Sequence, residues 1–403
     1  MNRRHFIQSL GAVAVPALAS PAVASPPPAA LYDIVIKNGE VRDPGRGIQE
    51  KADVAVKDGK IVAIEPGIAA ERALDVVDAS GKWVVPGLVD LHTHIHYGLG
   101  IGIKADPLAA RSGTTTWVDA GTFAYNETRG FREFIVEPAQ ARIYGFIHLY
   151  PNNRNPAADA VRHVRRAMHP TGKAAVANRD IILGVKFQVG SNMNGQYSLD
   201  FLKTARELCD TYKLTLMAHI SFSPPSTDQV MDLMRPGDIV THCYNTHGIG
   251  ILDENGKIKS SVTGARQRGV LFDIGHGAGS FNFGIARKAL DQGFLPDSIS
   301  TDVYTRNING PVYDMPTTMS KMLALGMSLD DVLLRSTANP AKVVNRLEGI
   351  GGLSVGGPAD IAVLEMHQGS FQLVDSQKNT VPVQEKLVSR LTICRGKRLI
   401  ASL

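Results

Sequence analysis

Between about residues 86 and 350, apolar strand-like runs alternate with helix-like stretches. The strand-like runs lie at 83–91, 115–119, 143–147, 183–186, 216–219, 238–242, 270–273 and 298–302. Helix-like stretches such as 199–212 and 283–292 separate several of them. Such alternation is typical of a parallel sheet covered by helices, and eight repeats over about 265 residues predict a (β/α)8 TIM barrel.

The predicted barrel, residues 86–350, lies between two β-rich segments. Residues 32–85 hold short β patterns, with Asp58-Gly59 as a hairpin turn signal, and residues 351–403 hold a similar pattern. The first segment alone is small for an independent sheet domain. We therefore predict an α/β protein in which a TIM barrel carries a small discontinuous β-sandwich domain formed from both termini.

Residues 1–24 have the features of an export signal peptide. A twin-arginine-like motif contains Arg3 and Arg4, an apolar segment follows, and the small residues 22–24 offer a cleavage site. The apolar segment is too short for a good membrane span. Residues 25–31, with three consecutive prolines, are predicted to be a linker. The expected location is periplasmic or secreted, with no membrane attachment after signal cleavage.

Composition excludes some partners. The net charge of the 403-residue chain is only +5, and two of its positive residues lie in the leader. This charge is too small to indicate nucleic acid or a membrane surface as a partner. The three cysteines form no disulfide framework and match no zinc spacing. A small-molecule substrate is expected, and the sequence leaves open assembly into a homo-oligomer.

Side chains that can bind metals stand where the strand-like runs end. His92 and His94 are two residues apart, and alternate side chains of a strand point the same way, so both imidazoles can face one metal ion. Later runs end in four further candidates: Lys186, His219, His242 and Asp302. Each has an ordinary explanation, such as a wall histidine, a helix N-cap or a snorkelling lysine. Together, at strand ends, they predict a metal site at the C-terminal mouth of the barrel.

With these motifs the chain resembles the amidohydrolase superfamily. The resemblance is carried by Pro86-Gly-Leu-Val-Asp-Leu-His-Thr-His94, Gly184-Val-Lys186, Ala218-His219, Thr241-His-Cys243 and Ser300-Thr-Asp302. It runs from about residue 32 to the end of the chain. The stretches Val118-Asp-Ala-Gly121 and Phe272-Asp-Ile-Gly-His-Gly277 make it closer to the deacetylase or dihydroorotase-like branch.

The resemblance implies a centre of two divalent metal ions, with zinc as the expected metal. The more buried ion would be held by His92, His94 and Asp302, and the other by His219 and His242. Lys186, carboxylated by carbon dioxide, would bridge both ions. This role needs a neutral amine, and a buried lysine loses its proton readily.

The chemistry of such a centre predicts a hydrolase. A hydroxide shared by two cations would attack an acyl carbon, and the catalytic Asp302 would pass the proton of the water to the leaving group. We expect cleavage of an amide or ester acyl bond, as in a deacetylase, in a small carboxylate-bearing substrate. Two alternatives stay open: a cyclic amide hydrolase of dihydroorotase or hydantoinase type, and a barrel that binds a metal or ligand without catalysis.

Residues in the loops after the strands are the candidates for substrate binding. They are Tyr97, Gln188, Tyr244, Asn245, His276, Tyr304 and Arg306. A guanidinium beside the metals could clamp a substrate carboxylate, which favours Arg306. His276 could instead steady the site from behind the ligands. The loops after Lys186 and His219 depart from those of the deacetylase branch, so the identity of the substrate does not follow from the resemblance.

Overall fold

The structure, a computed structural model, describes residues 30–151 and 160–400. The predicted export signal, residues 1–24, and residues 25–29 of the predicted linker lie outside these ranges. Export and a periplasmic or secreted location therefore stay predictions. In the described part of the chain, no helix combines the length and apolar character needed to cross a membrane.

Five strands form the N-terminal part of one sheet. They are β1 (Tyr32–Asp43), β2 (Ile48–Lys57), β3 (Lys60–Glu65), β4 (Ala73–Asp78) and β5 (Trp83–Pro86). The hairpin predicted at Asp58-Gly59 is confirmed, since β2 and β3 pair antiparallel around it. Both turn residues have positive φ, 48° and 77°, as the tight turns of two-residue hairpins require.

The predicted TIM barrel is confirmed, with seven regular strands in a parallel sheet that follows chain order. They are β6 (Leu88–Thr93), β7 (Thr114–Ala120), β8 (Arg142–His148), β9 (Ile182–Val189), β10 (Thr215–Ile220), β11 (Ile239–Thr241) and β12 (Leu271–Asp273). The eighth predicted strand, 298–302, is not a regular strand. Single bridges, Asp273 to Ser298 and Thr93 to Val303, still connect this segment to β12 and β6. The ring is therefore closed by isolated bridges, and the positive φ of Asp302, 48°, interrupts extension.

The first predicted run, 83–91, is divided between the two sheets. Its first half is β5, which pairs with β1, and its second half is β6, which opens the barrel. The division falls at Gly87, where a Cβ atom would lie 2.2 Å from Thr115 Oγ1. Only glycine leaves room for the chain to pass this close to β7 on its way from one sheet to the other.

Helices follow most of the barrel strands. They are α1 (Ala105–Ser112), α2 (Thr128–Gly130), α3 (Ala160–Ala177), α4 (Ser191–Asn194), α5 (Ser198–Tyr212), α6 (Thr227–Leu233), α7 (Ser260–Gln267), α8 (Phe283–Leu290), α9 (Met315–Ala324), α10 (Leu329–Ser336) and α11 (Ala338–Val344). A π-helical turn, Phe131–Val136, continues α2. The predicted helices at 199–212 and 283–292 are confirmed as α5 and α8. α8 begins where the Asn282 side chain accepts a hydrogen bond from Ile285 N–H, a normal N-cap.

Three C-terminal strands complete the sheet of the termini. They are β13 (Ile361–Val374), β14 (Thr380–Cys394) and β15 (Lys397–Arg398). The hydrogen-bonded order is β15-β14-β13-β5-β1-β2-β3, with β4 beside β1. Strands from both termini therefore form one domain, as predicted, and all of them belong to a single hydrogen-bonded sheet. Buried residues from both ends of the chain, such as Ile34, Val54 and Ile361, form its core. The predicted discontinuous domain therefore depends on contacts between distant parts of the sequence.

Candidate metal centre

The C-terminal ends of the barrel strands bring the predicted ligands together. His92 lies at the end of β6, and its Nε2 is 3.0 Å from Lys186 Nζ of β9. Asp302 Oδ1 lies 3.4 Å from His92 Nε2 and 3.2 Å from His94 Nε2. These four side chains, from three separate segments of the barrel, meet at one point.

The other two histidines lie beside this group. The ring centroids of His219, on β10, and His242, directly after β11, are 4.2 Å apart. The His242 ring is 5.0 Å from that of His92. Ligand atoms of His92, His242 and Asp302 all lie within 4.8 Å of one another, close enough for the three residues to belong to one metal centre. All six predicted ligands therefore line one site.

Hydrogen bonds turn the histidine Nε2 atoms toward the centre. Thr241 Oγ1 donates to Asp273 Oδ2 at 2.7 Å, so it must accept the 2.8 Å hydrogen bond from His92 Nδ1. His242 Nδ1 donates to Gly275 O at 2.6 Å. With Nδ1 protonated, each ring keeps an Nε2 lone pair, the form in which imidazole binds a metal.

Two atoms of the centre lack partners that the protein would normally supply. His242 Nε2 and Asp302 Oδ1 are buried without a hydrogen-bond partner in the described part of the chain. Buried polar atoms are generally paired, so an unpaired nitrogen and an unpaired carboxylate oxygen facing the same point need an explanation. Nitrogen and carboxylate donors suit zinc and related divalent metals, so the donor set fits such ions.

The backbone at the site is held in unusual conformations. His242 and Asp302 have positive φ values, 70° and 48°, which non-glycine residues rarely adopt. Gly275 and Gly277, in the loop after β12, also have positive φ. A Cβ at Gly277 would lie 2.4 Å from Asp302 Oδ2. Strained backbone of this kind is typical of functional sites.

This crowding gives a test of the loop. Gly277→Ala would force both a strained φ and a clash with Asp302, so we expect turnover to fall on the order of 100-fold, together with weaker metal binding. Gly279→Ala is the matched control, because a Cβ at Gly279 meets no atom within 4 Å. Steady-state kinetics and metal titration of both variants measure the effect. Equal behaviour of the two would mean that the loop does not constrain Asp302.

Burial controls the protonation of the centre. It lowers the pKa of Lys186 to about 8 and that of His242 to about 4. Burial also holds the pKa values of His92 and His219 well below their usual range. The imidazoles of these three histidines are therefore neutral at pH 7, as metal binding requires, and a minor part of Lys186 is the neutral amine.

Three buried aspartates support the ligands and were not singled out as site residues from the sequence. Asp273 accepts hydrogen bonds from Thr241, Ser298 and Ser300 hydroxyls. Asp119 accepts from the backbone N–H groups of residues 95, 96 and 122. Asp90 binds both the N–H and the hydroxyl of Thr301. Asp119 and Asp273 stand at or near strand ends, the signal that identified the ligands, so they could have been included.

The predicted substrate-binding residues divide into two groups. Tyr304 lies beside the centre, with its ring centroid 6.0 Å from that of His94. The exposed Arg306 guanidinium stands 5.5 Å from the Tyr304 ring. Tyr97 is 41% exposed, and Gln188 is half-buried near the end of β9. These four side chains are all at least partly exposed to solvent.

The second group is buried and already paired. Tyr244 donates its hydroxyl hydrogen to Phe294 O at 2.9 Å. The Asn245 side chain donates to His242 O and accepts from His247 N–H. His276 has both ring nitrogens occupied, by Gly277 O and by Lys321 Nζ. In this conformation these residues, predicted as substrate contacts, hold the walls of the site, and for His276 this matches the alternative role considered for it.

The β13–β14 hairpin also reaches the site. Its tip, residues 375–379, contacts the loop after β12. Buried Asp375 accepts from Phe283 N–H, and Ser376 Oγ donates to the carbonyl oxygens of His276 and Gly277. The sheet of the termini thus fixes the loop whose carbonyl at Gly275 orients His242.

Comparison with known proteins agrees with this geometry. The profile of the amidohydrolase family matches residues 83–399, which include all six predicted ligands. The chain belongs to the amidohydrolase family. It is a hydrolase acting on carbon–nitrogen bonds, and the superfamily typically uses divalent metals.

Several similar amidohydrolases carry different names. A deacetylase from Brucella anthropi is 33% identical over 352 residues, covering 86% of this chain and 87% of the relative. Crystal structures described as an adenine deaminase and a dihydroorotase are 30% and 31% identical, each with a TM-score of 0.82. Each alignment covers 91% of this chain. It covers 99% of the adenine deaminase chain and 98% of the dihydroorotase chain. The shared feature is hydrolytic chemistry on a common barrel, and the substrates named differ.

Proposed function

We propose that this amidohydrolase removes an acyl group from a small carboxylate-bearing molecule by cleaving an amide or ester bond, as a deacetylase does. One observation supports the proposal above all: three groups that can bind metal meet around His92. They are the unpaired His242 Nε2, the unpaired Asp302 Oδ1 and the Lys186 amine. The relatives named deacetylase, at 31–33% identity over most of the chain, support hydrolysis of an acyl bond.

The resemblance to the amidohydrolase superfamily implies which residues would hold the metals, and the meeting of the six side chains at one site supports this assignment. One ion would bind His92, His94 and Asp302, the other His219 and His242, with carboxylated Lys186 between them, and zinc suits these donors. Bound there, two divalent ions would polarise the scissile carbonyl and lower the pKa of a water toward about 7. The lowered pKa of Lys186 supplies the neutral amine that carboxylation needs.

Asp302 is positioned to move the proton. Its Oδ1 has no hydrogen-bond donor among the described residues, and its backbone is fixed because Asn307 Nδ2 donates to its carbonyl oxygen at 2.8 Å. A carboxylate held in this way takes a proton from the attacking water and delivers it to the leaving nitrogen or oxygen. With this left-handed backbone, Asp302 Oδ1 lies 3.4 Å from His92 Nε2 and 3.2 Å from His94 Nε2.

Arg306 and Tyr304 are the best placed to select the substrate. Arg306 is exposed, and the described structure gives its guanidinium no carboxylate partner within 4.0 Å. A guanidinium can hold a carboxylate with two parallel hydrogen bonds. The Tyr304 ring lies 5.5 Å from the Arg306 guanidinium and 6.0 Å from the His94 ring, so a substrate carboxylate bound by Arg306 would lie close to a predicted metal ligand.

Arg306→Ala tests this assignment. We expect KM for carboxylate-bearing acyl substrates to rise on the order of tenfold to a hundredfold, since a charge-assisted bidentate contact is lost, with a smaller change in kcat. An analogue whose carboxylate is amidated should show little difference between wild type and variant. Arg398→Ala, in β15 of the sheet of the termini, is the control. An equal effect on both substrates would contradict a carboxylate clamp.

A second function is supported by the similarity to a dihydroorotase structure. Cyclic amide hydrolysis would use the same centre but open a ring without releasing a carboxylic acid. The deciding experiment loads the purified protein with zinc, measures metal per chain, and assays N-acyl and O-acyl carboxylates, dihydroorotate, hydantoins and adenine. Release of acid from the acyl substrates supports the proposal, and ring opening alone supports the alternative. Inactivity of the metal-loaded protein on the whole panel would favour a barrel that only binds.

A further inference from the structure

His148, at the C-terminal end of β8, has no role in the chemistry described so far. Its side chain is buried, with 2% of the residue exposed. Its Nδ1 lies 2.6 Å from Tyr150 O. Its Nε2 is buried without a hydrogen-bond partner in the described part of the chain. Nε2 of the predicted ligand His242 is likewise buried and without a hydrogen-bond partner among the described residues.

The contacts of Nδ1 determine which hydrogen bond Nε2 can make. Tyr150 O accepts only, so the 2.6 Å contact requires a proton on Nδ1. The competing approach of Tyr150 N–H to Nδ1 is much longer, 3.4 Å. In the neutral ring, Nε2 then carries a lone pair. It is an acceptor without a donor, and a buried acceptor of this kind is unfavourable unless a donor arrives.

His148 is directly beside Lys186. The two residues are paired in the register of the parallel strands β8 and β9, so their side chains point to the same face. A Cβ placed on Gly121 would lie 2.8 Å from both Cβ and Cγ of Lys186 and 3.6 Å from Cδ2 of His148. Both side chains therefore pass the same point inside the barrel, and Cδ2 is the ring carbon bonded to Nε2.

Carboxylation would change where the nitrogen of Lys186 donates. In this structure the amine Nζ lies 3.0 Å from His92 Nε2, a predicted metal ligand, and makes no hydrogen bond to His148 Nε2. The neutral Nζ attacks the carbon of carbon dioxide, an N–C bond forms, one C–O π bond becomes a carboxylate lone pair, and one proton leaves Nζ for solvent. The product is a carbamate whose nitrogen keeps a single N–H. Because its oxygens would bind the two ions, this N–H would need an acceptor within the protein.

We propose that His148 Nε2 accepts a hydrogen bond from the remaining N–H of carboxylated Lys186. His148 is thus a positioning residue: it favours the carbamate over the free amine and turns the carbamate plane so that both oxygens face the metals. The inference rests on the proposed carboxylation of Lys186 and adds to it the residue that holds the modified side chain.

The test follows carbamate formation and metal binding directly. Wild type, His148→Phe and His148→Gln are stripped of metal and carbon dioxide, then reloaded with zinc over a series of ¹³C-bicarbonate concentrations. Carbamate is measured by ¹³C NMR and zinc per chain by elemental analysis. Phenylalanine keeps a flat ring without an acceptor, whereas the glutamine amide oxygen can reach the position of Nε2. His367→Phe, at an exposed position of β13, is the control.

We expect His148→Phe to need on the order of tenfold more bicarbonate for half-maximal carbamate and zinc, because its carbamate N–H stays unpaired. Gln should restore much of the wild-type value. If His148→Phe does not fold, His148→Leu replaces it, and its bicarbonate dependence is compared with that of His148→Gln. Equal bicarbonate dependence in wild type and the Phe or Leu variant would overturn the role of His148 alone. Zinc binding by wild type without a carbamate signal would instead overturn carboxylation, and the role of His148 with it.

Discussion

Lys186→Ala is expected to slow hydrolysis on the order of 1000-fold while leaving a folded protein. The reason is charge. Burial keeps the imidazoles of His92, His219 and His242 neutral, so these ligands would contribute no negative charge to the proposed pair of ions. Among the six predicted ligands, only Asp302 and, in the proposed carboxylated form, Lys186 would carry negative charge. Removing the lysine would remove the proposed bridging anion, and zinc per chain should fall along with turnover.

The fold should tolerate this change. Lys186 is a buried amine whose pKa burial lowers, so losing it removes a desolvation cost at the same time as it removes packing. We expect a melting temperature within about 5 °C of wild type. Added acetate or propionate should recover part of the activity by occupying the space of the carbamate. Lys203→Ala, at an exposed position of α5, is the control. Full activity of Lys186→Ala would mean that no bridging carbamate is needed.

The barrel and its ligands could be predicted because both depend on local periodicity. Apolar runs and helix-like stretches alternate along the chain, and side chains in a strand alternate faces, so His92 and His94 had to share a side. Parallel strands in a barrel then place all their C-terminal ends at one mouth. This placement of strand ends is sufficient to predict that His219 and His242 lie close together, although no local sequence motif joins the two residues.

The last barrel segment could not be predicted in detail. Residues 298–302 have the composition of a strand, but single bridges replace a regular ladder there. The extended conformation is interrupted by the left-handed backbone at Asp302. The loop at Gly277 passes close to the Asp302 side chain at the same place. A local pattern does not reveal such a conformation, because it is imposed by side chains that meet only in the folded barrel.

Side-chain direction in the loops was the least predictable feature. Tyr244 and Tyr304 both follow ligand residues, yet one is fully buried against Phe294 O and the other lies beside His94. Nothing in the local sequence separates them. The contact between the hairpin tip at Asp375 and the N-terminus of α8 joins residues about ninety positions apart. Contacts of this kind depend on how the sheet of the termini packs on the barrel.

Asp302→Asn should lose most turnover with little loss of structure. Asparagine keeps the shape of aspartate but cannot take a proton from water at neutral pH. We therefore expect kcat to fall about 10²–10⁴-fold, the usual contribution of a general base, with KM nearly unchanged. The backbone contacts at this position, from Asn307 Nδ2 to the carbonyl oxygen and from the N–H to His92 O, do not involve the carboxylate. The melting temperature should accordingly stay close to that of wild type.

The variant must be measured at saturating zinc, because Asp302 Oδ1 also lies within 3.4 Å of His92 Nε2 and is itself a predicted ligand. Equal zinc per chain with lost turnover would assign the defect to proton transfer, since ligand loss alone would be corrected by added metal. Asp228→Asn, at an exposed position in the first turn of α6, is the control for removing a carboxylate. Turnover near that of wild type in Asp302→Asn would mean that another group moves the proton, and the role proposed for Asp302 would be wrong.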